Sequence, residues 1–182
     1  MTSLRRTTPL LIGLSGYART GKDTVAAQLV TFHGYQRRAF ADPLRATLLA
    51  LDPYLTNGER YSSLMDRLGY EAAKDHPVHG PEVRRLLQRM GTEAGRGIHG
   101  DSVWVDAAMR NLDRPTVLTD VRFANEAAEI RRLGGVVWEI ARPGCGPATG
   151  HAADVSIPGD RVLVNAGTLH ELDWLTDKEL RG

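Results

Sequence analysis

The segment Leu10-Leu-Ile-Gly-Leu-Ser-Gly-Tyr-Ala-Arg-Thr-Gly-Lys-Asp-Thr24 decides the fold of this chain. It predicts a buried strand over residues 10–15, a turn bounded by Gly16 and Gly21, and a helix that begins at Lys22. The glycines let the turn curl so that successive backbone N–H groups point inward, and the helix adds the positive end of its dipole. With the lysine ammonium group beside it, this turn predicts a cradle for the phosphates of a nucleoside triphosphate.

The residue after Lys22 departs from the usual form of such a loop. Most P-loop proteins place there a hydroxyl that contacts Mg²⁺, whereas this chain has Asp23 first and its hydroxyl one position later, at Thr24. Asp23 or Thr24 must then take the metal-binding role, directly or through water. The position of this threonine resembles that in the loops of adenylate-kinase-like enzymes. It favours a small-molecule kinase over a switch GTPase. The alternative is a turn that only joins a strand to a helix.

Composition excludes several classes of protein. The chain has 182 residues, enough for one domain with a full core, and a net charge of +1. A charge this small creates no overall electrostatic attraction for nucleic acid or for an anionic membrane. The single cysteine, Cys145, excludes an internal disulfide and has no partners that would mark it as a nucleophile. No apolar stretch is long enough to span a bilayer, and the N-terminal apolar run predicts a strand and not a signal peptide, so we expect a cytoplasmic protein.

Strands alternate with helices along the chain, which predicts an α/β fold: a P-loop NTPase three-layer sandwich with a five-stranded, mainly parallel sheet. Ligands of such a sheet collect at the carboxyl ends of its strands. Residues 52–80 are expected to be irregular apart from one short helix, and residues 142–159 to form a loop or lid. The predicted strands cover residues 10–15, 35–40, 116–120, 136–140 and 161–165, and the predicted helices cover residues 22–33, 43–51, 62–68, 81–95, 102–112, 124–133 and 168–180.

A second motif follows the third predicted strand. The segment Val117-Leu-Thr-Asp120 ends an apolar run with a carboxylate, where Mg²⁺ and phosphates are expected. Arg122 lies two residues further on and could reach a phosphate as a planar fork. The alternative is that Asp120 caps the next helix and Arg122 pairs with Glu126.

A third motif lies in the predicted helix over residues 81–95. Gln88, Thr92 and Arg96 recur every four residues and therefore share one face, while Leu86, Leu87 and Met90 are expected to pack inward. An amide, a hydroxyl and a guanidinium could read a base and hold a phosphate, and the alternative is a solvated helix face. Weaker signals are Asp42 with Arg45 after the second strand, and His151 with Asp154 in the expected lid. The pair His76 and His79 is another, which we interpret as part of a loop and not as a metal site.

Together these segments resemble the bacteriophage deoxynucleoside monophosphate kinase family. The resemblance covers residues 10 to about 172 and rests on motifs in a fixed order: Gly-Lys-Asp-Thr at 21–24, Phe-Ala-Asp-Pro-Leu-Arg at 40–45, Leu-Gln-Arg-Met-Gly-Thr-Glu at 87–93 with Arg96, Trp104, Asp-Val-Arg-Phe-Ala-Asn-Glu at 120–126, Arg142-Pro143 and Asn165-Ala-Gly-Thr168. It implies transfer of the γ-phosphoryl group of ATP to a deoxynucleoside monophosphate, with Mg²⁺.

The resemblance also implies an organisation. A single P-loop kinase domain would have its core over residues 10–41 and 113–182, an acceptor-binding helical insertion over residues 42–112, and a lid over residues 142–159. The lid segment carries few basic residues, which makes Arg142 its main expected contribution.

The resemblance assigns roles to single residues. The catalytic group would be Lys22, Asp120, Arg122 and Arg142. The ATP-binding residues would be Gly16, Ala18, Arg19, Thr20, Gly21, Lys22, Asp23, Thr24 and Asn165. The metal would be held by Asp23, Thr24 and Asp120. The acceptor nucleotide would be bound by Asp42, Arg45, Arg85, Gln88, Thr92, Arg96 and Trp104.

Two alternatives stay open. Another small-molecule P-loop kinase, such as a dephospho-coenzyme-A or phosphomevalonate kinase, would share the core and differ over residues 42–112. A regulatory nucleotide-binding module of the GTPase type is the second, although the chain has no Asn-Lys-x-Asp segment. We expect a small-molecule substrate, no nucleic acid and no membrane as partners, and the resemblance allows for a homodimer.

Overall fold

The computed structural model of the chain describes residues 9–146 and 156–181. Its strands are β1 (Leu11–Ser15), β2 (Gln36–Arg38), β3 (Thr116–Leu118), β4 (Val136–Ala141) and β5 (Arg161–Val164). Its helices are α1 (Lys22–His33), α2 (Asp42–Leu51), α3 (Tyr61–Leu68), α4 (Tyr70–Asp75), α5 (Gly80–Gln88), a π-helix (Arg89–Arg96), α6 (Gly97–His99), α7 (Val103–Ala108), α8 (Ala124–Arg132) and α9 (Leu169–Arg181). Within these ranges no helix combines the length and apolar character needed to cross a membrane.

The five described strands form one sheet in the order β2-β3-β1-β4-β5, and every neighbouring pair is parallel. Parallel pairing requires a crossover between neighbours, which the helices supply. The predicted α/β class with a five-stranded parallel sheet is therefore confirmed.

Alternation along β1 explains why helices lie on both faces of this sheet. Ile12 and Leu14 are buried in one cluster with Val25 of α1 and Leu172 of α9. Gly13 points to the opposite face, where a Cβ would lie 2.4 Å from the Cδ1 atom of Ile130 in α8. Because successive strand residues point to opposite faces, the glycine lets α8 approach closely while its neighbours bury apolar surface against α1 and α9.

The parallel arrangement brings predicted site residues to one edge. The carboxyl ends of β1, β3, β4 and β5 lie together, and the chain leaves them towards Gly16, Asp120, Arg142 and Asn165 respectively. Ligands of open α/β sheets bind outside this edge.

The chain divides into two compact units: Met1–Ala39 with Asn111–Gly182, which contains the sheet, and Phe40–Arg110, which is helical. The helical unit has its own core of buried residues, and Leu86, Leu87 and Met90 pack against it, as predicted. The core itself consists of Leu48, Leu55, Tyr61, Leu64, Ala73 and Val83.

Three predictions about the helical region were wrong in detail. Residues 70–75 form α4 where an irregular segment was expected, and α7 ends at Ala108 instead of continuing to residue 112. Asn111 adopts a left-handed φ of 55°, which no right-handed helix can contain. The helix expected over residues 81–95 is α-helical only to Gln88 and continues as a π-helix.

Close packing accompanies the π-helix. A Cβ on Gly95 would lie 2.5 Å from the Trp104 ring, and the Trp104 indole N–H donates to the Gly91 carbonyl at 2.9 Å. The wider helical turn therefore coincides with a tertiary contact from α7. Segments with i→i+5 hydrogen bonds are rare and occur frequently at functional sites.

Candidate active site

The loop between β1 and α1 curls through three residues with positive φ: Gly16 (129°), Arg19 (64°) and Gly21 (106°). Gly16 has no room for a side chain, because a Cβ there would lie 2.3 Å from the Ile140 carbonyl oxygen of β4. Such a backbone turns successive N–H groups towards one concavity, which is a binding geometry for anions. Arg19 tolerates a left-handed conformation that is uncommon for a residue with a Cβ.

Lys22 connects the end of this loop to its beginning. Its Nζ atom donates to the carbonyl oxygens of Gly16 at 2.7 Å and Tyr17 at 2.6 Å. Burial lowers the pKa of Lys22, the positive charge of Arg122 lowers it further, and Asp23 acts in the opposite direction. Arg122 therefore lies close enough for its charge to act on the Lys22 ammonium group.

Thr20 and Asn165 shape the loop from inside the protein. Thr20 is fully buried, and its hydroxyl donates to the Tyr17 carbonyl at 3.0 Å. The Asn165 Nδ2 group, just beyond β5, donates to the Thr20 carbonyl at 2.9 Å. Both residues were predicted to bind the cofactor, and the structure places their side chains on the loop backbone.

Asp120 and Arg122 follow β3 at the carboxyl edge. The backbone N–H groups of Arg122 and Phe123 donate to the buried Glu126 carboxylate at 2.7 and 3.0 Å. Glu126 therefore accepts hydrogen bonds from the backbone N–H groups that precede α8, and Phe123 is the N-cap residue of this helix. Arg122 therefore meets Glu126 through its backbone N–H group, and its side chain is exposed at the edge.

Arg142 is the first residue after β4, and its side chain is exposed. It lines a cavity of about 290 Å³ together with Tyr17, Glu139 and Cys145. The Cys145 Sγ atom is 3.8 Å from the Arg19 carbonyl oxygen. This cavity therefore adjoins the loop that contains Lys22.

A second cavity of about 330 Å³ lies between β5 and α9. Asn165, Leu172 and Leu175 are among its lining residues, and a Cβ on Gly21 would lie 2.7 Å from the Asn165 Nδ2 atom. The cavity therefore adjoins the start of α1. Its wall combines apolar side chains with an amide, a combination typical of small-molecule sites.

The predicted metal ligands are oxygen donors. Asp23 is exposed and Thr24 half-buried in the first turn of α1, and Asp120 is half-buried after β3. This donor set suits Mg²⁺, which proteins bind through one or two carboxylates together with substrate phosphates. Within residues 9–146 and 156–181, no group of three or more His, Cys, Asp or Glu side chains converges as a metal site.

The histidines noted in the sequence add no described contact to the candidate active site. The His76 Nδ1 atom accepts the backbone N–H groups of Val78 and His79 at 3.2 and 3.3 Å, so this ring organises a turn. His151 and Asp154 lie outside the described residues, as does most of the expected lid.

The predicted acceptor residues all lie in the helical unit. Asp42 begins α2, and its Oδ1 atom is 3.7 Å from an Nη atom of Arg45 one turn later. Arg85 is exposed on α5 and pairs with Glu82 at 3.5 Å. Arg45 and Arg85 thus give the helical unit two guanidinium groups, and guanidinium groups bind phosphate through charge-assisted hydrogen bonds.

The remaining acceptor residues lie on the helix after α5 and beside it. Gln88 and Thr92 are exposed, whereas Arg96 is half-buried at the end of the π-helix. The Trp104 N–H is used by the Gly91 carbonyl, which leaves the ring face as the part of Trp104 that could contact a ligand.

Two residues escaped the sequence interpretation. Tyr17 contributes the carbonyl that accepts from both Lys22 and Thr20. Tyr70 lies beneath the Arg45 guanidinium, with the Cζ atom 4.0 Å from the ring centroid. A backbone contact has no residue-type signal, and Tyr70 lies in a segment that was expected to be irregular.

Comparison with known proteins gives viral nucleotide kinases as relatives. The chain is 32% identical to a protein of Acanthamoeba polyphaga mimivirus provisionally named deoxynucleotide monophosphate kinase, over 89% of this chain and 91% of that protein. It is 30% identical to the deoxynucleotide monophosphate kinase of Escherichia phage RB69 over 54% of this chain, and 31% identical to that of Enterobacteria phage T4 over 50%. These two matches span 45% and 42% of the phage proteins.

No protein-family profile matches the chain. Among solved structures, TT1252 from Thermus thermophilus aligns over 96% of this chain and 97% of that one, with 22% identity and a TM-score of 0.42. A likeness of that size supports no conclusion about function.

Proposed function

The chain belongs to the deoxynucleotide monophosphate kinase family, and on that premise we propose that it transfers the γ-phosphoryl group of ATP to a deoxynucleoside 5′-monophosphate with the help of Mg²⁺. The observation that carries this proposal is the curled loop closed by Lys22, whose ammonium group lies 2.7 and 2.6 Å from the Gly16 and Tyr17 carbonyls. The products would be ADP and a deoxynucleoside diphosphate, a precursor of DNA.

The sheet unit would bind the donor. The inward N–H groups of residues 16–22 would hold the ATP phosphates, and the cavity beside Asn165 would take the nucleoside. Lys22 would exchange its carbonyl contacts for oxygens of the terminal phosphates, where its charge opposes the charge that develops during transfer.

Magnesium would be held by Asp120 with Asp23 and Thr24, directly or through water. When bound, the ion neutralises negative charge on the phosphates during phosphoryl transfer. Arg122 and Arg142, both exposed at the carboxyl edge, would stabilise charge on the transferring group. An arginine in that role contributes on the order of 10³-fold or more in rate.

The helical unit would bind the acceptor. Arg45, Arg85 and Arg96 would hold its phosphate, with Asp42 beside Arg45. Gln88, Thr92 and the ring face of Trp104 would contact the base or sugar. No general base is required, because a monophosphate oxygen is already ionised near neutral pH.

The decisive experiment is an assay that measures ADP release with ATP and Mg²⁺. Parallel reactions contain each common nucleoside monophosphate in its ribo and deoxy forms, and further arms contain dephospho-coenzyme A and mevalonate 5-phosphate. We expect turnover with deoxynucleoside monophosphates. Turnover confined to either of the last two acceptors, or ATP binding without turnover on any of them, would overturn the proposal.

A further inference from the structure

We propose that Tyr70 is a positioning residue, which holds the Arg45 guanidinium flat and available for the phosphate of the acceptor. This inference rests on the proposed function, since it takes Arg45 as an acceptor residue. It adds a residue that neither the sequence motifs nor the family resemblance included.

The first observation is the state of Arg45. Its Cζ atom lies 4.0 Å from the centroid of the Tyr70 ring, a distance typical of an arginine stacked on an aromatic face. Its Nε atom is buried, and the described residues supply it with no hydrogen-bond acceptor. The nearby carboxylate of Asp42 is 3.7 Å from an Nη atom, beyond hydrogen-bond distance. The guanidinium is thus held in place by the ring with N–H capacity that these contacts do not use.

A second stacked pair in the same unit shows what a purely structural arginine looks like. The Arg60 Cζ atom lies 3.9 Å from the Tyr54 ring centroid. Unlike Arg45, Arg60 uses its guanidinium, because it donates to the Asp52 carbonyl at 3.0 Å. Tyr54 is 65% exposed. The two stacks have nearly equal distances, so the difference lies in what the guanidinium binds and not in the stacking.

Tyr70 occupies a partly buried position in the helical unit. It begins α4 directly after Gly69, whose φ is 75°, and is half-buried. The fully buried Tyr61 lies near both partners: burial raises the pKa of Tyr61, Tyr70 raises it further, and the charge of Arg45 lowers it. Lys74, 5.6 Å from the same ring, is bonded to Glu71 at 2.7 Å. Of the two cations beside this ring, Lys74 has a carboxylate within hydrogen-bond distance, whereas the carboxylate nearest to Arg45 lies at 3.7 Å.

The chemistry that follows is recognition of a dianionic phosphate group by a planar guanidinium. A guanidinium binds a phosphate through two parallel N–H donors, and this geometry requires that the guanidinium plane be oriented. A flat aromatic ring fixes this plane without occupying the N–H groups at its edge. Without the ring, the side chain would have to lose rotational freedom on each binding event.

The test measures equilibrium binding of deoxynucleoside 5′-monophosphates, and of the matching nucleosides without phosphate, by titration calorimetry. In Tyr70→Leu we expect the Kd of the monophosphates to rise about fivefold, with the Kd of the nucleosides unchanged. Tyr70→Phe keeps the ring and should restore wild-type affinity. Tyr54→Leu removes the matched stack and should leave both affinities and the acceptor KM unchanged.

A double-mutant cycle separates positioning from direct contact. If Tyr70 acts through Arg45, then Tyr70→Leu in an Arg45→Met background should weaken monophosphate binding no further. Equal weakening of nucleoside and monophosphate, additivity with Arg45→Met, or absence of monophosphate binding by the wild-type chain would each overturn the inference. Monophosphate binding with this pattern but no phosphoryl transfer from ATP would overturn the proposed function alone.

Discussion

The loop of residues 16–22 and the helical unit of residues 40–110 position their candidate site residues in different ways. In the loop, Lys22 contacts Gly16 and Tyr17, six and five residues earlier in the chain. In the helical unit, Trp104 reaches Gly91 across 13 residues, and Arg45 stacks on Tyr70 from a different helix. The loop therefore follows from a short stretch of sequence, whereas the helical unit depends on packing between helices. Substitutions in the two regions should have correspondingly different effects.

The largest expected effect falls on the loop. Lys22→Ala removes the one ammonium group that bridges the loop, and we expect kcat to fall about 10³-fold. The unfolding transition should stay close to that of the wild type. Arg132→Ala, which removes a surface cation paired with Glu129 on α8, is the control and should retain full activity. Near-normal turnover by Lys22→Ala would remove the lysine from the mechanism.

Arg96→Ala tests the helical unit with a smaller expected effect. Loss of a charged contact to the acceptor phosphate should raise the acceptor KM about 10-fold to 100-fold while the KM for ATP changes little. Initial-rate measurements with each substrate varied in turn give both constants. A variant whose ATP KM rose more than its acceptor KM would move Arg96 to the donor side.

Asn165 is an exception to the local character of the loop, because it contacts Thr20 from 145 residues further along the chain. Asn165→Leu leaves the Thr20 carbonyl without the amide that donates to it at 2.9 Å. We expect the KM for ATP to rise about tenfold, in line with the effect of an unsatisfied buried polar group. The acceptor KM serves as an internal control, and an equal rise in both constants would contradict a role confined to the loop.

The smallest effect is expected at Trp104. Trp104→Phe keeps an aromatic ring against Gly95 but deletes the indole N–H that donates to Gly91 at 2.9 Å. The free energy of unfolding should fall by about 1 kcal/mol, as for the loss of one hydrogen bond. Chemical denaturation of the full chain measures this change. An unchanged free energy of unfolding would show that the contact does not stabilise the π-helix.

Several elements were predictable because their signals are local. Glycine spacing, the lysine and the apolar run of β1 predicted the loop and its flanking elements, and alternating strands and helices predicted the parallel sheet. The helical unit was harder to predict, because a π-helix has no periodicity that distinguishes it from an α-helix over eight residues. Tyr70 could not be singled out, since nothing in its neighbourhood in the sequence indicates that Arg45 lies above it.

By itself, the sequence determined the curled loop, the α/β class and the edge at which Asp120, Arg142 and Asn165 gather. These features depend on backbone preferences and on hydrophobic alternation, which act over a few residues. Only the tertiary structure decided that Thr20 and Asn165 support the loop backbone, that Trp104 binds Gly91 and that Arg45 rests on Tyr70. Apart from the Thr20 contact with Tyr17, which spans three residues, those contacts join residues far apart in the chain, and packing selects which side chains meet.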